Sequence, residues 1–508
     1  MSPYLKCIAL IIFIAACSNH RKLPVRQAYY NEPHRPQFHF SPKEAWMNDP
    51  NGMVYYNNTY HLFYQFYPDS TVWGPMHWGH ATSKDIIRWE QQPIALYPDS
   101  LGYIFSGSAV IDSGNTSGFG KDGKVPLVAI FTHHNSAGEK SGSKTFQAQS
   151  IAYSLDEGKT WTKYAGNPVL QNPGIKDFRD PKVSWHQASK KWIMTLATLD
   201  RITFYSSPDL KAWTKESEFG KEFGAHGGVW ECPDLFTLEH EGKEVWVLLI
   251  SINPGGPNGG SATQYFTGNF DGKTFTPFAT DTRWIDYGTD NYAGVTWSNT
   301  GARKLFVGWM SNWQYANVVP TKKWRSAMTI PRELGLQKVS DKYLVTSTPV
   351  KELEVLNDKA VVAEAIDVTS YDLSSKTGGL KGPAKLKITG DKLDNFTITL
   401  SNGKSEKLIV GYDASSNSYF IDRSASGRID FDQGFARKQS APRLSLKQGL
   451  DITVIIDNAS IELFADGGLS VMTAIFFPTE PYTNIIIQSP EKLKVKSLQY
   501  HQLKTIWK

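Results

Sequence analysis

Cysteine is scarce: 508 residues hold only Cys7, Cys17 and Cys232. Two of these lie in a leader-like N-terminus, so no disulfide framework is available and burial of apolar surface must hold the fold. Charge of either sign is equally sparing, with 54 Lys and Arg against 49 Asp and Glu, a net +5. No basic block, basic helical face or zinc-spaced Cys set occurs, which makes nucleic acid a poor partner. The single long apolar run, residues 7–16, is too short to span a bilayer. His77-Trp78-Gly79-His80 and His133-His134 lack the i, i+4 spacing and the acid partner of a metal set. The Gly-rich stretch 253–260 lacks the Lys-Ser/Thr ending of a phosphate cradle. No metal or organic cofactor is implied.

What is abundant is aromatic surface, 16 Trp among it, in a chain too long for one core. Lys6 ahead of the apolar run reads as a signal peptide over 1–16, to be left out of fold reasoning. It ends Ile14-Ala15-Ala16-Cys17, which resembles a bacterial lipobox and makes Cys17 the expected lipidation site. Such a lipid would anchor the protein to the outer membrane, at its periplasmic face or at the cell surface, with no transmembrane segment. An ordinary secretory signal is the alternative. Residues 17–36, polar with several Pro and basic residues, read as a tether.

From 37 to 340 short Tyr/Phe/Trp/Val/Ile runs alternate with Gly, Asn, Asp, Pro and Ser turns and show no helical period. A degenerate unit recurs: Ser83-Lys84-Asp85 leading to Trp89, Ser154-Leu155-Asp156 to Trp161, Ser207-Pro208-Asp209 to Trp213, and more faintly Asp271-Gly272 to Phe275. In each, Asp can cap the turn while the aromatic packs between sheets. Roughly 300 residues at about 50–60 per blade predict a five-bladed β-propeller. Residues 341–357 read as a short helical linker. Beyond them, 358–508 alternate as half-buried antiparallel strands, for example Phe396-Thr397-Ile398-Thr399-Leu400, and predict a C-terminal β-sandwich. The fold class is therefore all-β.

Three acids stand beside Pro-ordered turns with bulky aromatics near: Asp49 in Trp46-Met47-Asn48-Asp49-Pro50-Asn51-Gly52, Asp180 in Asp177-Phe178-Arg179-Asp180-Pro181, and Glu231 in Trp230-Glu231-Cys232-Pro233-Asp234. Turn chemistry alone would explain any one of them. Together they offer the pair of carboxyl groups that glycosidic hydrolysis needs, one ionised and one protonated. Asn48 and the amides after Asp49 could hold a carboxylate ionised, and an apolar setting between Trp230 and Cys232-Pro233 would keep Glu231 protonated.

These stretches, in this order, resemble the three signature motifs of glycoside hydrolase family 32, the β-fructosidases that include invertases, inulinases and levanases. The resemblance implies a five-bladed propeller with a C-terminal sandwich, and implies Asp49 as nucleophile, Glu231 as general acid/base and Asp180 as transition-state stabiliser. It further implies a sugar-binding shell of Trp46, Asn48, Gln65, Trp73, Phe105, Ser106 and Arg179, with Trp313 as a candidate wall. Arg179 is expected to orient Asp180. The implied reaction is the retaining release of terminal β-D-fructofuranosyl units from levan, inulin, fructo-oligosaccharides or sucrose, exo rather than endo. Rim loops 114–123, 133–144 and 253–260 are expected to set the choice among them.

Two other readings remain open at this point. Ser154-Leu155-Asp156-Glu157-Gly158-Lys159-Thr160-Trp161 fits the Asp-box of sialidase propellers, and a catalytically dead glycan-binding scaffold would share the same fold. Cys232 reads as a small wall beside Glu231, not a nucleophile, because no His neighbours it in sequence.

Overall fold

The computed structural model describes residues 29–507, so the leader and Cys17 lie outside the described residues. Five antiparallel sheets follow one another along the chain. Their first strands are Ala45–Tyr56, Tyr103–Ile111, Phe178–His186, Val229–His240 and Tyr292–Thr296. Each of these touches the next and the fifth touches the first, which closes a ring around a central channel. A short strand, Trp324–Arg325, returns from the fifth sheet to pair in parallel with Ala45–Trp46.

The recurring Ser/Asp unit lies where each of the first four sheets turns into its fourth strand. Asp85 accepts the Ile87 and Arg88 amides, Asp209 those of Lys211 and Ala212, and Asp271 those of Lys273 and Thr274. A carboxylate that collects two turn amides fixes the reversal and frees the following aromatic to pack inward. Ser154-Leu155-Asp156 is one of these turns, Asp156 accepting the Thr160 amide, which is a structural use of the Asp-box.

After a 3₁₀ turn over Lys351–Leu356 the chain enters the sandwich. Two long strands, Asn357–Asp372 and Asn484–Leu503, pair with each other, and the second of them joins both halves of the sandwich. Its core is mainly aliphatic, including Leu386, Ile398, Val410, Ile452, Leu463 and Ile487, with Phe396, Tyr419 and Phe476 among them.

The seam between propeller and sandwich is polar and fully buried. Arg332 bonds Asp286 at 2.9 Å and Glu462 at 2.5 Å, and Arg423 bonds Asp290 at 2.6 Å. His39 places Nδ1 2.8 Å from Asp457 and Nε2 2.8 Å from Glu462. Burial opposes a charged imidazole, but the two carboxylates outweigh it and hold His39 up at about 9. Glu462 in turn is lowered, since Arg332 and His39 overcome its burial.

Candidate active site

All five inner strands carry a β-bulge at the same end of the ring. The ladder slips between Met47 and Pro50, Ile104 and Gly107, Glu231 and Asp234, Tyr292 and Val295, and opposite Asp180-Pro181. Two residues there face one on the neighbouring strand, which re-aims their side chains toward the axis. Each bulge holds or abuts a Pro or a Gly: Pro50, Gly107, Pro181, Pro233 and Gly294. The glycines are needed for close approach. A Cβ on Gly107 would lie 2.0 Å from the Ile130 carbonyl oxygen, and one on Gly294 2.1 Å from the Phe306 ring. Asp180, Cys232 and Ala293 adopt φ of 63°, 44° and 53°, so backbone strain is concentrated at this ring.

The residues just ahead of those Pro or Gly positions are Asp49, Ser106, Asp180, Cys232 and Ala293, and they converge. Ser106 donates to Asp49 at 2.9 Å, and Asn48 donates to its other oxygen at 3.0 Å. The Cys232 amide donates to Asp180 at 3.0 Å, while its thiol lies 3.5 Å from Asp49 and 3.6 Å from Asp180. One residue earlier in each strand come Asn48, Phe105, Arg179, Glu231 and Tyr292. Arg179 donates to Glu231 through Nε and Nη2 at 3.1 and 2.9 Å and to Asp177 at 2.5 Å. Tyr292 donates its hydroxyl to the other Glu231 oxygen. Asp49, Asp180 and Glu231, far apart in sequence, thus meet around one hollow of about 230 Å³.

Several expectations change on this geometry. Arg179 does not bond Asp180; it spans Glu231 and Asp177 and reaches Asp180 only through its charge. Glu231 is not in an apolar setting, because Trp230 turns away to donate to the Ala225 carbonyl while Glu231 faces Arg179 and Tyr292. The amides after Asp49 do not serve it; Asn48, Ser106 and the Cys232 thiol do. Burial first, then Glu231, raises the Asp49 carboxyl above its usual value. Asp180 is pushed up to about 7 by burial and by Glu231 and Asp49, against the pull of Arg179. The Cys232 thiol is also driven up, by burial and by all three acids, which keeps it protonated.

In the shell, Asn48, Gln65, Trp73, Phe105, Ser106, Arg179 and Trp313 line the hollow. Gln65 Nε2 is buried there with no protein acceptor among the described residues. Trp46 does not line it. Fully buried, it fixes the Asn48 amide through its indole N–H at 2.7 Å and backs Trp313 at 6.0 Å. Loop 133–144 does reach the rim, through His134 and Glu139. Loop 253–260 instead docks on the sandwich, Asn258 bonding Ser440, and loop 114–123 packs under Trp192. Tyr292, Asp177 and Gln147 were not anticipated, and His134 and Glu139 only as members of rim loop 133–144. For Tyr292 the signal was present: Ala293-Gly294 repeats Ser106-Gly107 in type and place.

Two family profiles cover the chain: Glycosyl hydrolases family 32 N-terminal domain over residues 39–348 and Glycosyl hydrolases family 32 C terminal over 350–502. The chain belongs to glycosyl hydrolases family 32. As a family 32 member it is a glycosidase, with the five-bladed propeller and sandwich of its relatives. It is similar to a levanase of Bacillus subtilis, 47% identical over 494 residues, covering 94% of this chain and 72% of that one. It is also similar to the extracellular exo-inulinase of Aspergillus ficuum, 41% identical over 487 residues, covering 89% and 90%. Among solved structures, an exo-inulinase from Aspergillus awamori superposes with a TM-score of 0.86 at 36% identity, covering 94% of this chain and 100% of that one. A fructofuranosidase from Schwanniomyces occidentalis complexed with fructose gives 0.86 at 34% identity, with 94% and 100% covered.

Proposed function

We propose that the protein is a retaining, exo-acting fructan β-fructosidase. The observation that carries this reading is the convergence of Asp49, Asp180 and Glu231 on a hollow of about 230 Å³, a volume suited to a single sugar ring and not to a run of them. The levanase and exo-inulinases to which the chain is similar support a fructan as the substrate. Asp49 attacks the anomeric carbon of a terminal fructosyl unit and forms an ester as the glycosidic C–O bond breaks. Glu231 gives its proton to the departing oxygen, then takes one from the water that cleaves the ester. Asp180, held by the Cys232 amide, accepts sugar hydroxyls; its raised proton affinity strengthens that bond as positive charge grows on the ring. Arg179 and Tyr292 fix the Glu231 carboxyl between them.

The test is the product profile from levan and from inulin. Free fructose from the first minutes is the expected outcome; a ladder of oligosaccharides would replace the exo reading with an endo one. We also propose that the chain is exported and lipid-anchored at Cys17, on its leader and lipobox-like residues. Relatives are named extracellular, which supports export. Intact-mass analysis of membrane-extracted protein should show an acylated N-terminal Cys17, and an unmodified terminus in the soluble fraction would refute the anchor.

A further inference from the structure

The hollow is lined by five carboxyl groups, those of Asp49, Glu139, Asp177, Asp180 and Glu231, against a single guanidinium, Arg179. Among the described residues no lysine lines it; Lys140 and Lys176, neighbours in sequence, are not part of the lining. Four of the acids serve the sugar ring or Arg179. Glu139 does neither. It sits on the five-residue helix Ser136–Lys140 at the rim, its side chain half exposed, with Oε2 3.1 Å from His134 Nε2.

The histidine does not cancel that charge. Burial, then Arg179, lowers His134 to about 4, so it is neutral at working pH. Gln147 can only donate from Nε2, 3.3 Å from His134 Nδ1, so Nδ1 accepts and the ring hydrogen sits on Nε2, which makes no hydrogen bond among the described residues despite its closeness to Glu139. The Gln147 side chain is itself fixed, its carbonyl taking the Phe178 amide at 2.8 Å, and the imidazole stacks on Phe105 at 4.1 Å. A neutral imidazole beside it therefore leaves the Glu139 carboxylate unneutralised at the mouth of the hollow.

We propose that Glu139 is a specificity residue that turns the active-site mouth against anionic leaving groups, so that uncharged fructosides are accepted and phosphorylated ones are rejected. A phosphate dianion at about 7 Å from one half-exposed, uncompensated carboxylate loses roughly an order of magnitude in affinity even at a water-like dielectric of about 80. The inference rests on the fructosidase reading and names its substrate class more narrowly.

Sucrose and sucrose 6-phosphate, assayed as fructose release at low salt, are the probes. In the native chain kcat/KM should favour sucrose by roughly 100-fold, and about 0.5 M salt should narrow that ratio several-fold. E139Q should narrow it roughly fivefold and E139K further still. His134→Phe, which keeps the stack on Phe105 and removes no charge, should leave the ratio near the native one. Equal kcat/KM for the two substrates in the native chain would overturn the inference. So would a ratio that neither Glu139 variant moves, or one indifferent to salt. Failure to release fructose from sucrose, inulin and levan alike would instead sink the fructosidase reading and the inference with it.

Discussion

At the propeller mouth Asp49, Asp180 and Glu231 have one guanidinium near them, bonded to Glu231 alone of the three, whereas at the seam with the sandwich Asp286, Asp290, Asp457 and Glu462 meet Arg332, Arg423 and His39. Both clusters are acids partly or wholly withdrawn from water on all-β scaffolding, yet three of them differ in the direction of their shift. Asp49 and Asp180 are raised, while Glu462 is lowered. Desolvation acts on both; what differs is whether a cation and enough donors oppose it. The seam uses its charge to register two domains, while the mouth is left under-compensated, so its acids can exchange protons and grip hydroxyls.

That contrast is open to breaking from either side. The largest effect expected is at the mouth: Asp49→Ala should lower kcat/KM on inulin by more than about 10⁴-fold, with thermal unfolding unchanged or shifted upward. A variant that lost activity by unfolding would erase the distinction. At the seam Arg332→Met strands Glu462 and Asp286 and should cost about 3–5 kcal/mol in denaturant unfolding, while activity per folded molecule survives.

A pH series sharpens the comparison further. Glu462, lowered when folded, contributes stability above its unfolded value that is lost as pH falls through its folded one. His39, raised to about 9, contributes stability fully present below about 6.5 that is lost as pH rises toward 9. Asp180, raised to about 7, works the other way from Glu462: it weakens the fold as pH climbs from its unfolded value near 3.8. Asp180→Asn should therefore stabilise more at pH 8 than at pH 4.5 by differential scanning calorimetry, and an equal gain at both would contradict the assignment. Smallest of all, Asp209→Ala should cost only about 1 kcal/mol, since it loses turn amides that water can reach.

How far the sequence foretold this depends on whether a residue's partner is local. The blade turns were legible because Asp85 and Asp209 satisfy amides two and three residues away. The three acids stood out because Pro50, Pro181 and Pro233 mark the bulges beside them. Tyr292 stayed hidden, since its bulge is marked by Gly294, and Gly in a β-rich chain marks many things. Trp46 was placed one layer too close to the sugar, because nothing in a motif separates a residue that touches the ligand from one that holds its neighbour. Arg332 and Glu462 pair across 130 positions, and nothing beside either one in sequence points to the other.

A ring that spends one kinked strand position per blade has interchangeable slots. Asp49 and Asp180 fill two with charge, Ser106 and Cys232 fill two with weak donors, and Ala293 leaves the fifth chemically mute. Buried completely and held at positive φ, Ala293 has no room to join them, so the ring's reactivity stays with four of its five blades.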